Sequence, residues 1–133
     1  MVDCFHFYGD DLNVSATGDL LLADQSTTGV QRVYRRLLTN PQLKDQSGNS
    51  VASPDYTWHP TYGAGVPRKI GSPGNVPVTT ALIRGQMLLE KAVARSPAPT
   101  ITLTQVETVV SAVIKYTDAQ QKTPQFLQFD ISI

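Results

Sequence analysis

The sequence predicts an α+β domain: two main helices packed on a mostly antiparallel β-sheet, with an N-terminal β-hairpin. Three observations predict it. Val30, Val33, Tyr34, Leu37 and Leu38 fall at the spacing of one helix face. A second apolar run extends from about Thr79 to Arg95. Val110, Ala112, Ile114 and Tyr116, and later Leu127, Phe129, Ile131 and Ile133, alternate with their neighbours, which is the period of a strand with one buried face. Helices laid against an antiparallel sheet give this class. The 133 residues fit a single domain over 1–133, long enough to bury a real core.

The N-terminus reads as strand. Phe5 and Phe7 alternate with His6 and Tyr8, and Gly9-Asp10-Asp11 breaks the run. Leu12 and Val14 lead to a turn at Ala16-Thr17-Gly18-Asp19, and Leu20-Leu21-Leu22 returns, giving a small hairpin. The first helix carries the stripe from Val30 to Leu38, with Gln31, Arg32, Arg35 and Arg36 on its other side. Ser26, Thr27 or Thr28 is expected to cap it by accepting a backbone N–H. Asn40-Pro41 ends it, since a residue before proline is pushed out of helical geometry.

Gln42 to Asp55 is polar and lacks periodicity, so it reads as a surface loop or a loop that orders on a partner. Tyr56 to His59 is expected as a short strand. Pro60, Tyr62, Gly63, Gly65 and Val66 then form a turn that pins one element closely against another. Its glycines permit backbone angles other residues resist. No Lys-Ser/Thr pair follows, and Val66-Pro67 stands where a phosphate-binding loop would start its helix, so that function is not supported. Ile70 to Pro77 reads as a second loop. In the second helix, Ala81, Leu82, Gly85, Leu88, Leu89, Ala92 and Val93 line one face, with Gly85 allowing a neighbour to come close. Ile83 and Met87 lie off that stripe. They either widen the core face or form a contact face for a partner. Ser96-Pro97-Ala98-Pro99 ends the helix. Ile101 and Leu103 start a strand, and the last strand, with Phe126, Leu127, Phe129 and Ile131, is a candidate edge whose unpaired backbone groups accept another chain.

Eleven basic and eleven acidic side chains cancel. Nothing in this balance calls for nucleic acid or an anionic membrane. Charged residues make up 17% of the chain, against roughly 25% in typical soluble domains. Sparse charge suits a subunit whose surface is covered in an assembly. A single cysteine, Cys4, excludes an intrachain disulfide, and folding in a cytoplasm is expected. No secretory signal or membrane-length apolar stretch is seen.

Catalytic chemistry finds little support. His6 and His59 lack partners at metal-ligand spacing, so neither a metal nor a cofactor is expected. Glycoside hydrolysis needs two carboxylates across a sugar bond. The chain has two glutamates, Glu90 and Glu107, and Glu90 beside Lys91 reads as solvated. An aromatic cleft between Trp58 and Tyr62 is the feature that would serve a sugar. Arg32, Arg35 and Arg36 read either as a solvated helix face or as a site for an acidic protein surface.

The order of parts is specific. Arg35-Arg36-Leu37-Leu38-Thr39-Asn40-Pro41 closes a helix, and Trp58-His59-Pro60-Thr61-Tyr62-Gly63-Ala64-Gly65-Val66 and Ile70-Gly71 follow. Ala81-Leu82-Ile83-Arg84 then opens a helix that ends at Arg95-Ser96-Pro97, before Ile101-Thr102-Leu103 and a strand from Val109 to Tyr116. This resembles the contractile-tail bacteriophage baseplate family that includes the W-like baseplate assembly proteins and the sheath-initiating wedge protein. The family pattern is a helix, a Pro-x-Tyr/Phe-Gly-x-x-Leu turn, a helix, then strands. Pro60, Tyr62, Gly63 and Val66 match the turn, with Val66 in the leucine position. The resemblance covers Thr28 to Ile133, and Phe5 to Leu22 is similar to relatives in Mu-like prophage tails. Where many members have Glu-Pro-Arg after the second helix, this chain has Ser96-Pro97-Ala98, and its polar loop is longer.

The resemblance implies a virion structural protein, assembled in the host cytoplasm, with six copies around the tail and no enzymatic activity. Its implied partners are the tail sheath protein and other baseplate wedge and hub or tube proteins. It would initiate the sheath by strand augmentation with sheath subunits. The alternatives are a tail-associated peptidoglycan glycosidase, since some relatives carry a lysozyme label, or the equivalent subunit of a related contractile injection or secretion machine.

Overall fold

The computed structural model describes residues 3–7, 10–70 and 76–132. The expectations for Tyr8, Gly9, Ile133 and most of the loop between Ile70 and Pro77 lie outside the described residues. Strand β1 (Asp3–Cys4) pairs antiparallel with β2 (Leu22–Ala23), and an isolated bridge joins Val14 to Leu20 around the predicted turn. The predicted N-terminal hairpin is therefore present.

Helix α1 spans Gln25–Leu38 and buries Val33 and Leu37 completely. Its cap is Asp24 and not Ser26, Thr27 or Thr28. The Asp24 carboxylate accepts the Thr27 N–H at 2.7 Å. The helix starts earlier than the stripe, so those three residues lie inside its first turn. A carboxylate is favoured at this end because the unpaired N–H groups carry positive charge. The cap holds the Asp24 carboxyl below the usual range.

The polar stretch predicted as a loop contains a small hairpin, β3 (Leu43–Lys44) with β4 (Ser50–Ala52). Asp45 builds its turn: one carboxylate oxygen accepts the N–H groups of Ser47 and Asn49, both at 2.9 Å. The predicted strand from Tyr56 to His59 is instead a pair of turns, closed by His59 N–H to Tyr56 C=O and Tyr62 N–H to His59 C=O.

A short helix, α2 (Val66–Ile70), does begin after the glycine turn, contrary to the expectation. Pro67 suits a first turn, where a missing N–H leaves no bond unmade. Helix α3 spans Val76–Met87, shorter and earlier than predicted. It buries Thr79, Ile83 and Met87, whereas Ala81 and Gly85 are exposed. A side chain on Gly85 would meet nothing within 4 Å, so no neighbour approaches there. The predicted stripe had the wrong phase because its second half is not helical. Leu88 to Arg95 runs in turns, and Leu89 is 63% exposed. Ala94 N–H then reaches Thr117 C=O at 2.9 Å, tying this segment to the sheet.

Strands β5 (Thr100–Val106), β6 (Val109–Thr117) and β7 (Pro124–Ser132) form an antiparallel meander in that order. Alternation sorts the faces as predicted. Val110, Ala112, Ile114, Tyr116, Leu127 and Phe129 point inward and are buried. Thr102, Val113 and Gln128, which share a register row, are exposed on the opposite face. The core is the layer between that inner face and the residues Val33, Leu37, Val66, Ile83 and Met87. The class is α+β, with two small two-stranded sheets beside the main one.

Candidate interaction surfaces

The glycine turn completes the C-terminus of α1. A helix leaves its last carbonyls without intrahelical donors. Thr39 serves Arg35 C=O with both its N–H (3.0 Å) and its hydroxyl (2.6 Å). Ala64 N–H donates to Arg36 C=O and Gly65 N–H to Thr39 C=O, both at 2.9 Å. Gly63 has φ +107°, and a Cβ there would stand 2.2 Å from the Thr39 carbonyl oxygen. The turn is a packed structural element, as its sequence predicts. Pro60 C=O accepts Gln42 N–H at 2.7 Å, and Val66 is fully buried. Arg68, which sequence reasoning passed over, holds the surrounding loops by donating to the carbonyls of Pro41 and Ser53, both at 2.9 Å.

Tyr62 lies under the guanidinium of Arg36, 4.6 Å from its ring centre. The same guanidinium pairs with Glu90, with only 16% and 12% of the two side chains exposed. It also reaches Gln86 at 3.4 Å. Arg36 therefore ties α1, the turn and the end of α3 together instead of facing a partner. Glu90, read from the sequence as solvated, is its counter-ion. The Tyr62 ring packs edge-on against Tyr56, 5.7 Å away, while Trp58 is 88% exposed. The predicted aromatic cleft of Trp58 with Tyr62 is thus corrected: Trp58 stands alone in solvent.

Arg35 is half-buried at the helix end. Arg32 lines an open cleft of about 720 Å³ between the start of α1 and the segments at Lys91 and Asp118. The cleft's acids are already committed. Asp24 caps α1, and Asp118 accepts the N–H groups of Gln120 and Gln121 at 2.9 and 2.8 Å. Neither histidine nor the cysteine lines it. Among the described residues no cluster of three metal-ligating side chains occurs.

Two further candidate groups resolve by burial. Ile83 and Met87 are fully buried, which favours the core reading of that pair. On β7, Leu127 and Phe129 are 3% and 6% exposed and also belong to the core. Successive strand residues face opposite sides, so a strand cannot offer all its apolar residues to one partner. Phe126 faces outward, with the Lys115 ammonium 5.6 Å from its ring centre. Ile131 is half-buried at the rim.

The N-terminal arm is anchored by a residue with no signal in the sequence. Gln31, 1% exposed, accepts the His6 N–H at 3.0 Å and donates its amide to Cys4 C=O at 2.9 Å. It acts as a surrogate strand. Phe5, Phe7, Tyr34 and Phe129 continue the attachment as a chain of edge-on rings. Leu12, Val14, Leu20 and Leu22 project from this arm, each more than half exposed.

Tyr116 is the unusual buried group. Its ring is 2% exposed and its hydroxyl has no hydrogen-bond partner among the described residues. Burial first, then the charges of Asp118 and Glu90, push its ionisation far above the ordinary 10.0. The folded chain holds this proton after the unfolded chain has lost it. The stabilising contribution is therefore complete below pH 10 and drains away as pH rises above it. Tyr116→Phe should leave stability at pH 7 unchanged or raise it by about 1 kcal/mol. It should also flatten the alkaline loss of stability. Urea midpoints at neutral pH and at about pH 11 check this.

Compared with protein-family models, curated proteins and solved structures, the chain matches none.

Proposed function

We propose that this chain is a structural subunit of a contractile phage tail baseplate that initiates sheath assembly by strand augmentation with sheath subunits. The observation that carries the reading is β7. It is a nine-residue strand at the end of the meander, with no further strand beside it among the described residues. An edge strand of this length offers backbone groups for a donor chain to pair with. Tyr34 hydroxyl touches the Gln128 carbonyl from 3.5 Å, a weak contact that an incoming strand displaces. The resemblance through Pro60, Tyr62, Gly63 and Val66 supports the reading, as does the 17% charged composition. The sheath protein, wedge and hub or tube proteins are its proposed partners in the virion, with six copies around the tail. A contractile injection or secretion machine would use the same edge.

The glycosidase alternative asks for carboxylates roughly 5–10 Å apart. Glu90 lies near the Thr117 end of β6, through the Ala94–Thr117 bond, and Glu107 lies in the turn before Val109 at its other end. A nine-residue strand spans about 30 Å.

Deleting Phe126 to Ile133 would remove buried Leu127 and Phe129 and so test folding, not assembly. Hydrogen exchange separates the two. On adding purified tail sheath subunits, β7 amides should gain protection while those of central β6 stay unchanged. Protection confined to another element, or none at all, overturns the reading.

A further inference from the structure

The opposite end of the sheet points to a different partner. Strand β5 forms the second edge, and among the described residues no backbone group bonds to its outer side. Exposed edges are ordinarily blunted by charge, proline or a bulge. Over Thr100–Val106 the chain reads Thr-Ile-Thr-Leu-Thr-Gln-Val, with no charged residue and no proline. Its register with β6 runs unbroken from Thr100↔Lys115 to Val106↔Val109, so there is no bulge either.

The edge also matches itself. We infer that β5 pairs antiparallel with β5 of a second copy of this chain about a two-fold axis through Thr102, joining two three-stranded sheets into one of six strands. Opposed residues then share a face. Ile101 lies opposite the partner's Leu103, and Leu103 opposite the partner's Ile101. Both are half-buried and packed at the rim of the core, so a neighbouring strand finishes their burial. On the outer face, Thr102 meets the partner's Thr102, and Thr100 meets the partner's Thr104. All three threonines are exposed in the single chain. Threonine pairs and β-branched apolar pairs are favourable cross-strand neighbours. A two-fold contact of this kind makes every interaction twice and closes on itself, so it stops at a dimer. With no charge on either strand and zero net charge on the chain, nothing repels the second copy.

The contact goes beyond the baseplate reading and does not depend on it. One strand pair is a small interface, so the dimer is expected to be concentration-dependent. Sedimentation of the purified full chain over a concentration series should show a mass rising from 14.5 kDa towards twice that value. Thr102→Lys sets two ammonium groups face to face. It should hold the mass at 14.5 kDa throughout, with an unchanged thermal midpoint because the side chain is exposed. In a Cys4→Ser background, Thr102→Cys should give an oxidised dimer linked through that one position. A wild-type chain that stays monomeric at its highest concentration overturns the inference. So does a dimer that survives Thr102→Lys, or a Thr102→Cys chain that does not cross-link on oxidation.

Discussion

Gly63→Val is expected to lower the thermal midpoint of the domain sharply. Two costs combine. Residue 63 has φ +107°, which a β-branched side chain adopts only under strain. Its Cβ would also lie 2.2 Å from the Thr39 carbonyl oxygen and 2.8 Å from the carbonyl carbon. These are backbone atoms at the cap of α1, so no rotamer change relieves the clash. Relief requires moving the turn off the helix, which breaks the bonds from Ala64 and Gly65 as well. The loss should be at least about 3 kcal/mol, combining strain with overpacking. That corresponds to a thermal midpoint lower by roughly 10 °C or more. Gly18→Ala separates the two costs. Its φ is +90°, but a side chain there meets nothing within 4 Å. It should lose only the backbone share, about 1–2 kcal/mol. Calorimetry on both variants checks the pair, and equal midpoints would remove the steric argument.

The second large effect lies in α3. Ile83→Ala should cost about 2–5 kcal/mol, since it opens a cavity at a fully buried position between α1 and the sheet. Leu89→Ala should stay within about 0.5 kcal/mol, because Leu89 is 63% exposed in the turn beyond the helix. The sequence stripe, which places Leu89 on the core face, predicts a large loss there too. Denaturant midpoints of the two variants therefore test the phase of the helix directly. A larger loss at Leu89 than at Ile83 would reject the packing described for α3.

This contrast shows where the sequence is informative. Strands β6 and β7 were legible because one face of the sheet is packed and the other faces water, so every second residue had to be apolar. Helix α1 was legible because the stripe from Val30 to Leu38 covers its apolar packing face. The end of α3 was not, since Leu88, Leu89 and Val93 continue the apolar run through turns held by backbone bonds. Strands β3 and β4 are two and three residues long, and Asp45 rather than alternation fixes their turn. In the candidate surfaces, Phe126 was grouped with Leu127 and Phe129, although strand alternation sends it to the opposite face. Arg36 and Glu90 were not seen as a pair because 54 residues separate them. Gln31 was hidden because a polar residue on the far side of an apolar stripe ordinarily faces water.

The cap on α1 carries a consequence for the order of folding. A helix that supplies its own terminal partners is complete as soon as it coils. Here Thr39 serves Arg35 C=O locally, but the carbonyls of Arg36 and Thr39 wait for the N–H groups of Ala64 and Gly65, which arrive after the chain has passed through β3, β4 and the aromatic turns. Those two carbonyls have no protein donor until that distant stretch closes on them. The end of α1 is therefore completed by residues about 25 positions along the chain, so its finish depends on tertiary closure rather than on local coiling alone.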